Sequence, residues 1–282
     1  MKSNRVPVMF MLAVLMLVTV GGLSTVLGQD AVAIPEVMVS AGDDEVVDFP
    51  AVVPEGVVQF TFENNRAEMP YSPIIARLND GVTMDQFNES MASDDEFAAL
   101  ALVTLYGGSE VAPGESGSFW LDMLPGSYVV VEFSEAGPPS VEAFDVEDTD
   151  GEVAEGPETN VTVAMVDFAF GVPLTQQAGE QVWRLMNVGN QWHEMGVFKV
   201  DEGTTIEQVQ ELLMAAFGSE DENAELPFEP AFFWAPMGPD ATAWVTVDLE
   251  PGSYAVVCFL PDLLGDFSPH VMKGMIQIFT VE

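Results

Sequence analysis

The sequence is short of the residues that usually build reactive sites. It has one cysteine, Cys258, two histidines, His193 and His270, and 7 Lys+Arg against 46 Asp+Glu. A single cysteine excludes an internal disulfide, so Cys258 is a buried hydrophobe, an intermolecular bridge or a metal ligand. The scarcity of cations leaves a formal net charge of −39. Such a surface repels nucleic acid and anionic lipid head groups, because both are polyanions. It suits a cationic partner, divalent cations or high salt, or it simply keeps an exported protein in solution. Charged residues are only 19% of the chain and hydrophobic ones 48%, which is globular material and not a disordered acidic tract. Acidic pairs such as Asp43-Asp44 and Asp94-Asp95 read as a solvated face. The 282 residues are enough for two ordinary domains with cores of their own.

Long apolar runs are also absent, with one exception. Lys2 and Arg5 precede an apolar run from Val6 to Leu23, and small residues then offer cleavage after Gly28 or Ala33. Residues 1–29 therefore read as a signal peptide or, since roughly 18 apolar residues can just span a bilayer, as an N-terminal anchor. No cysteine follows the run, which argues against a lipid attachment. The expectation is an extracytoplasmic protein, secreted, periplasmic or on the cell surface. Contact with a membrane is expected only through an uncleaved N-terminal segment.

The chain repeats itself. Val47-Asp48-Phe49 returns as Val166-Asp167-Phe168. Leu78-Asn79-Asp80-Gly81-Val82-Thr83 returns as Val200-Asp201-Glu202-Gly203-Thr204-Thr205. Leu124-Pro125-Gly126-Ser127-Tyr128 returns as Glu250-Pro251-Gly252-Ser253-Tyr254. Three matches in the same order mark a tandem duplication. The copies are expected at 34–147 and 160–282, joined by an acidic, Gly/Pro-marked linker at 148–159.

Each copy reads as short strands. Segments such as Gln181-Val182-Trp183-Arg184-Leu185 alternate at period two, whereas Tyr128 to Val131 and Tyr254 to Phe259 are solid apolar runs suited to interior strands. One helix interrupts each copy. Thr83 with Gln86 predicts a capping box in the first, followed by Met84, Phe87 and Met91. In the second, Thr204 with Glu207 predicts another, followed by an apolar face of Ile206, Val209, Leu212, Leu213, Ala216 and Phe217 and a stop at Gly218. Many strands, few helices and frequent turns point to an all-β fold of packed sheets.

Both histidines and the cysteine fall in the second copy. His193 ends Asn187-Val188-Gly189-Asn190-Gln191-Trp192-His193, Cys258 lies at the end of a solid apolar strand, and His270 and Met275 bracket Val271 to Gly274 before the last strand. This order resembles the cupredoxins, the small blue-copper proteins such as plastocyanin and azurin. The resemblance covers residues 160–282 and rests on Asn187 with His193, then Cys258, His270 and Met275. It implies two tandem cupredoxin-like Greek-key β-sandwiches, each with a short inserted helix, and one type 1 copper site in the second. His193, Cys258 and His270 would ligate, with Met275 axial. A thiolate, two imidazoles and a thioether are soft-to-borderline donors that suit copper in both oxidation states. The chain departs from the family in one respect. Eleven residues, Phe259 to Pro269, separate Cys258 from His270, so the loop either bulges outward and returns His270 to the site or holds it away.

Each donor has a plainer reading. A lone buried cysteine is commonly structural, a histidine beside a tryptophan can be a satisfied core residue, and Met275 in a chain with 16 Met can be core filler. Glu194 either orients His193 or points outward. In the first copy Tyr71 and Glu132 stand where His193 and Cys258 stand in the second, so a degenerate domain without metal ligands is expected there. The resemblance implies a single-electron carrier, not an enzyme, because the copper oxidases and nitrite reductases that stack such domains need several more histidines. Lys273 and the apolar loop Leu263 to Phe267 would shape its docking surface, and the acidic body would steer a basic extracytoplasmic redox partner. The alternative is a metal-free extracellular binding or scaffold module.

Overall fold

The computed structural model describes residues 32–42, 46–47, 49–93, 98–134, 137–149, 151–217 and 228–282. The signal-peptide or anchor segment, the two acidic pairs and the Gly218 stop lie outside these residues. Val32–Glu282 forms one compact unit.

The first half contributes β1 (Glu36–Ala41), β2 (Val46–Val47), β3 (Val52–Pro54), β4 (Gly56–Asn64), β5 (Ile74–Leu78), α1 (Met84–Met91), β6 (Val103–Gly107), β7 (Ser116–Met123), β8 (Gly126–Ser134) and β9 (Gly137–Glu147). The second contributes β10 (Val161–Val166), β11 (Ala169–Gly171), β12 (Thr175–Gln176), β13 (Gly179–Asn187), β14 (His193–Val200), α2 (Ile206–Phe217), β15 (Glu229–Met237), β16 (Thr242–Leu249), β17 (Gly252–Val257) and β18 (Ile276–Val281). The expected tandem sandwiches, each with one helix, are present.

The halves are joined edge to edge. One sheet runs β11-β10-β13-β16-β7-β4-β1-β2 and the other β12-β18-β17-β14-β15-β6-β5-β8-β9-β3. Outward from the seam, the order is the same on both sides in both sheets. The seam itself is β7 on β16, where Trp120 faces Trp244, and β6 on β15, where Tyr106 faces Met237. Strand edges that would otherwise be open templates for pairing are thus used to join the copies. Phe119 of β7 meets Trp234 of β15 edge to face at 5.2 Å, a contact worth about 0.5–1.5 kcal/mol beyond its area. Gly107, at φ 87°, makes this possible, since a Cβ there would lie 2.2 Å from Trp234 Nε1. The linker is also held, with the Val57 N–H donating to Ala154 O at 3.3 Å.

Phe60, Phe62, Phe119, Trp183, Tyr254 and Phe279 fill the space between the sheets. Burying each such ring contributes roughly 1.5–3 kcal/mol. The solid apolar runs have a separate cause: they are buried on both faces. Phe87 of α1 covers Ala76, Leu105, Val129 and Val131 on the outer side of the first half, and Val209 and Leu213 of α2 cover Phe198, Ala255, Val257 and Ile276 on the second.

The Thr83–Gln86 capping box is formed. Its counterpart is Thr205 with Gln208, not Thr204 with Glu207: Thr205 Oγ1 accepts from Gln208 N at 3.3 Å, and Gln208 Oε1 accepts from Thr205 N at 2.8 Å. The repeat pairs Thr83 with Thr205, and the cap follows that register. The α2 face is also narrower than expected, because Ile206 and Leu212 are exposed. Among the described residues, no helix is long and apolar enough to cross a membrane.

Candidate metal centre

Three segments of the second half meet at one end of its sandwich. His193 opens β14, next to a register shift against β15, and such irregularities re-aim side chains. The loop before it is fixed by Asn187, whose Nδ2 donates to Gln191 O and Met237 O at 2.8 Å each and whose Oδ1 accepts from Gly189 N at 2.9 Å. Cys258 directly follows β17. His270 starts a 3-10 turn, His270–Lys273, closed by Gly274 in the left-handed conformation.

The long connection returns His270 to Cys258. Val271 N donates to Cys258 O at 2.9 Å, His270 N to Leu260 O at 2.8 Å, and Asp262 N to Ser268 O at 3.0 Å. These bonds, with an antiparallel bridge between Pro261 and Pro269, make the extra residues a finger that projects from the site without spreading its base. Lys273 ties the finger down by pairing with Asp262 and, at 2.8 Å, with Asp266. Leu264 and Phe267 are exposed on it.

His193 Nδ1 lies 3.2 Å from His270 Nδ1, and Cys258 Sγ lies 3.5 Å from the same His270 nitrogen. The three donor atoms all fall within 4.8 Å of one another, and all three residues are buried. Met275 is buried as well, its N–H donating to His270 O at 3.0 Å and its carbonyl accepting from Cys258 N at 3.3 Å. Glu194 does not orient His193. Its side chain turns to Phe259, accepting that N–H at 3.0 Å, and burial pushes its carboxyl up to about 7, against the pull of this bond.

Burial keeps the cluster uncharged near neutral pH. Burial pushes the Cys258 thiol up to about 12, with the Glu194 charge adding to it and backbone hydrogen bonds opposing it. Such a thiol is no nucleophile at neutral pH, because the thiolate is the reactive form. Burial, reinforced by His193, pushes His270 down to about 4. Burial also lowers His193, partly offset by Asp167. Both imidazoles are therefore neutral near pH 7 and keep lone pairs for a metal. His270 faces His193 and Cys258 with Nδ1, and its other nitrogen, Nε2, is buried without a hydrogen-bond partner. Metal ions of this type bind nitrogen at about 2.0–2.1 Å, and two nitrogens 3.2 Å apart suit one ion between them. The donor set fits a metal.

Sequence reasoning missed Asp167. Its Oδ1 lies 3.1 Å from His193 Nε2, and only the recurrence of Val-Asp-Phe had marked it. Trp192 was noted only as a neighbour of His193. It packs against the outer cluster of the first half and, with Leu100, Leu105, Pro236, Leu260 and Leu264, lines an apolar groove of about 400 Å³ beside the finger.

No family model and no curated protein matches the sequence. Solved structures do. The chain is similar to a reduced auracyanin of Roseiflexus castenholzii, with 20% identity over 45% of this chain and 99% of that one and a TM-score of 0.30. It is similar to auracyanin A, a "blue" copper protein of Chloroflexus aurantiacus, with 16% identity over 43% and 99% and a TM-score of 0.27. Across both halves it is similar to a copper nitrite reductase of Nitrosomonas europaea, with 12% identity over 89% and 94% and a TM-score of 0.25. The strand order is that of a cupredoxin-like fold of two sandwiches, with a buried His-Cys-His cluster in the second.

Proposed function

We propose that this chain is a copper-binding protein of the blue type that carries single electrons outside the cytoplasm. The observation that carries the reading is the convergence of His193, Cys258 and His270 within 4.8 Å, in a chain with no other histidine or cysteine. These three would hold the ion, and the buried Met275 thioether would be available as a weak further donor. Bound there, copper supplies a one-electron couple. The protein contributes a rigid base: β14, β17 and the 3-10 turn are cross-linked by backbone hydrogen bonds, so a change of oxidation state need move little. The absence of further histidines supports a carrier over an oxidase, since both histidines are taken by this one cluster.

The extracytoplasmic setting is supported by the basic start and apolar run of residues 2–23. The net charge of −39 supports a basic redox partner whose association weakens as salt is added.

The test is the visible spectrum of the protein with Cu(II), beside Cys258→Ser. An intense band near ~600 nm that the variant lacks is expected of a copper–thiolate site of this type. No band, with no copper retained after dialysis, would sink the reading and leave a metal-free binding or scaffold module.

A further inference from the structure

The turn between β10 and β11 touches both imidazoles of the cluster. Asp167 reaches His193 Nε2 at 3.1 Å. The next residue, Phe168, packs its ring against the His270 ring, 5.1 Å between centroids and 74° between planes. Phe168 holds φ 65°, a left-handed conformation that is costly for a bulky residue and persists only where its surroundings impose it. Lys273 Nζ lies 5.1 Å from the same ring.

Asp167 is fixed independently of the histidine. Its Oδ1 also accepts from Asn190 N at 2.9 Å and Gln191 N at 3.3 Å, and its Oδ2 accepts from Asn190 Nδ2 at 3.0 Å. The approach depends on Gly189, because a Cβ there would sit 2.5 Å from Asp167 Oδ1 and 2.7 Å from His193 Nε2. A carboxylate can only accept, so the proton of His193 is on Nε2, and Nδ1 faces His270 and Cys258 with a bare lone pair.

We infer that Asp167 is a positioning residue that fixes the metal-ready tautomer of His193 and, by placing a negative charge behind that ring, favours the more highly charged state of the bound ion. The second part rests on the copper reading, and the first does not. A carboxylate hydrogen-bonded to a ligating imidazole raises the basicity of the ring, and partners of this kind change metal affinity about 10–100-fold. A tenfold loss of preference for Cu(II) over Cu(I) is a rise of about 59 mV in the reduction potential of a one-electron couple.

The experiment uses the full chain and two variants, Asp167→Asn, which keeps the shape and removes the charge, and Asp167→Ala, which removes both. Imidazole ¹⁵N spectra of the metal-free proteins should show His193 as the single Nε2–H tautomer in the wild type and as a mixture in Asp167→Ala. With copper, Asp167→Asn should keep the blue band and raise the potential by about 59 mV. Because a purely structural aspartate would not move the potential of a site with an unchanged band, an unchanged potential overturns the charge effect. A wild-type tautomer retained in Asp167→Ala overturns the positioning role. If no wild-type blue band forms, the copper reading fails and the charge effect fails with it, while the tautomer result still decides the positioning role.

Discussion

Asn64 and Asn187 hold their loops alike. Asn64 Nδ2 donates to Met69 O and Val111 O, as Asn187 Nδ2 does to Gln191 O and Met237 O, and each Oδ1 accepts the backbone N–H two residues on, that of Arg66 or of Gly189. From there the halves part. In the second, Gly189 leaves room for Asp167 to reach His193, and Cys258 and His270 close the cluster. In the first, the Arg66 side chain fills the space. Its guanidinium pairs twice with Glu132, one contact at 2.7 Å, and lies 5.0 Å from the centre of the Tyr71 ring. One frame thus carries a charged pair in one copy and a set of soft donors in the other. The strands and the asparagine clamp set the frame, and a few positions decide what it holds.

The strongest way to break this comparison is to leave the charged pair half made. Arg66 and Glu132 side chains are only 13% and 10% exposed, and removing one member of a buried pair costs about 3–5 kcal/mol, since the other charge loses its compensation. Glu132→Ala should lower unfolding stability in urea by an amount in that range and, on the copper reading proposed above, leave the blue band expected of the second half unchanged. Loss of that band in a protein still folded at room temperature would mean that the first half shapes the site directly. The next effect in size belongs to Gly189→Ala. The added methyl collides with Asp167 Oδ1 and His193 Nε2, so the hydrogen bond must open. We expect a cost of about 1–3 kcal/mol from overpacking, together with weaker copper retention on dialysis. A variant that keeps copper as firmly as the wild type would show that the ring needs no support from Asp167.

Much of the frame was legible in the sequence because it is local or repeated. Thr83 with Gln86 announces its own cap, and the Pro-Gly-Ser-Tyr repeat marks the turn into each interior strand. The cluster was legible for a different reason: with two histidines and one cysteine in the chain, few arrangements were possible. What escaped the sequence depends on distance along the chain. Asp167 bonds a residue 26 positions away and Arg66 one 66 positions away, and no periodicity links such pairs. The edge-to-edge seam was hidden too, since Trp120 and Trp244 read as ordinary strand residues until the two sheets are laid side by side. The second cap was misplaced by one residue because adjacent threonines, Thr204 and Thr205, both fit the pattern.

The halves differ again just beyond the interior strand. Only two residues separate β8 from β9, and Glu132 pairs with Ser140, whereas β17 and β18 are separated by the finger and the 3-10 turn. Lys273 holds that finger by Asp262 and Asp266. Lys273→Met should leave the fold and the band in place but speed proteolysis within 262–268 several-fold, because the tip then opens more readily than the base. Unchanged cleavage would mean that the backbone ladder alone secures the finger.

The smallest expected effect comes from the reciprocal exchange. The triple variant Arg66→Gly, Tyr71→His, Glu132→Cys gives the first half the space, the first imidazole and the thiol of the second. It should still bind no second copper. Only Glu135 and Ala136 stand between β8 and β9 in the sequence, so no second imidazole or thioether is supplied there, and two donors fall short of the three that a buried site needs to replace the water around the ion. Copper stoichiometry measured on the triple variant should stay at the wild-type value. A second equivalent with its own thiolate band would show that the frame, and not the loop, carries the capacity for metal, and the difference between the halves would then reduce to Arg66, Tyr71 and Glu132.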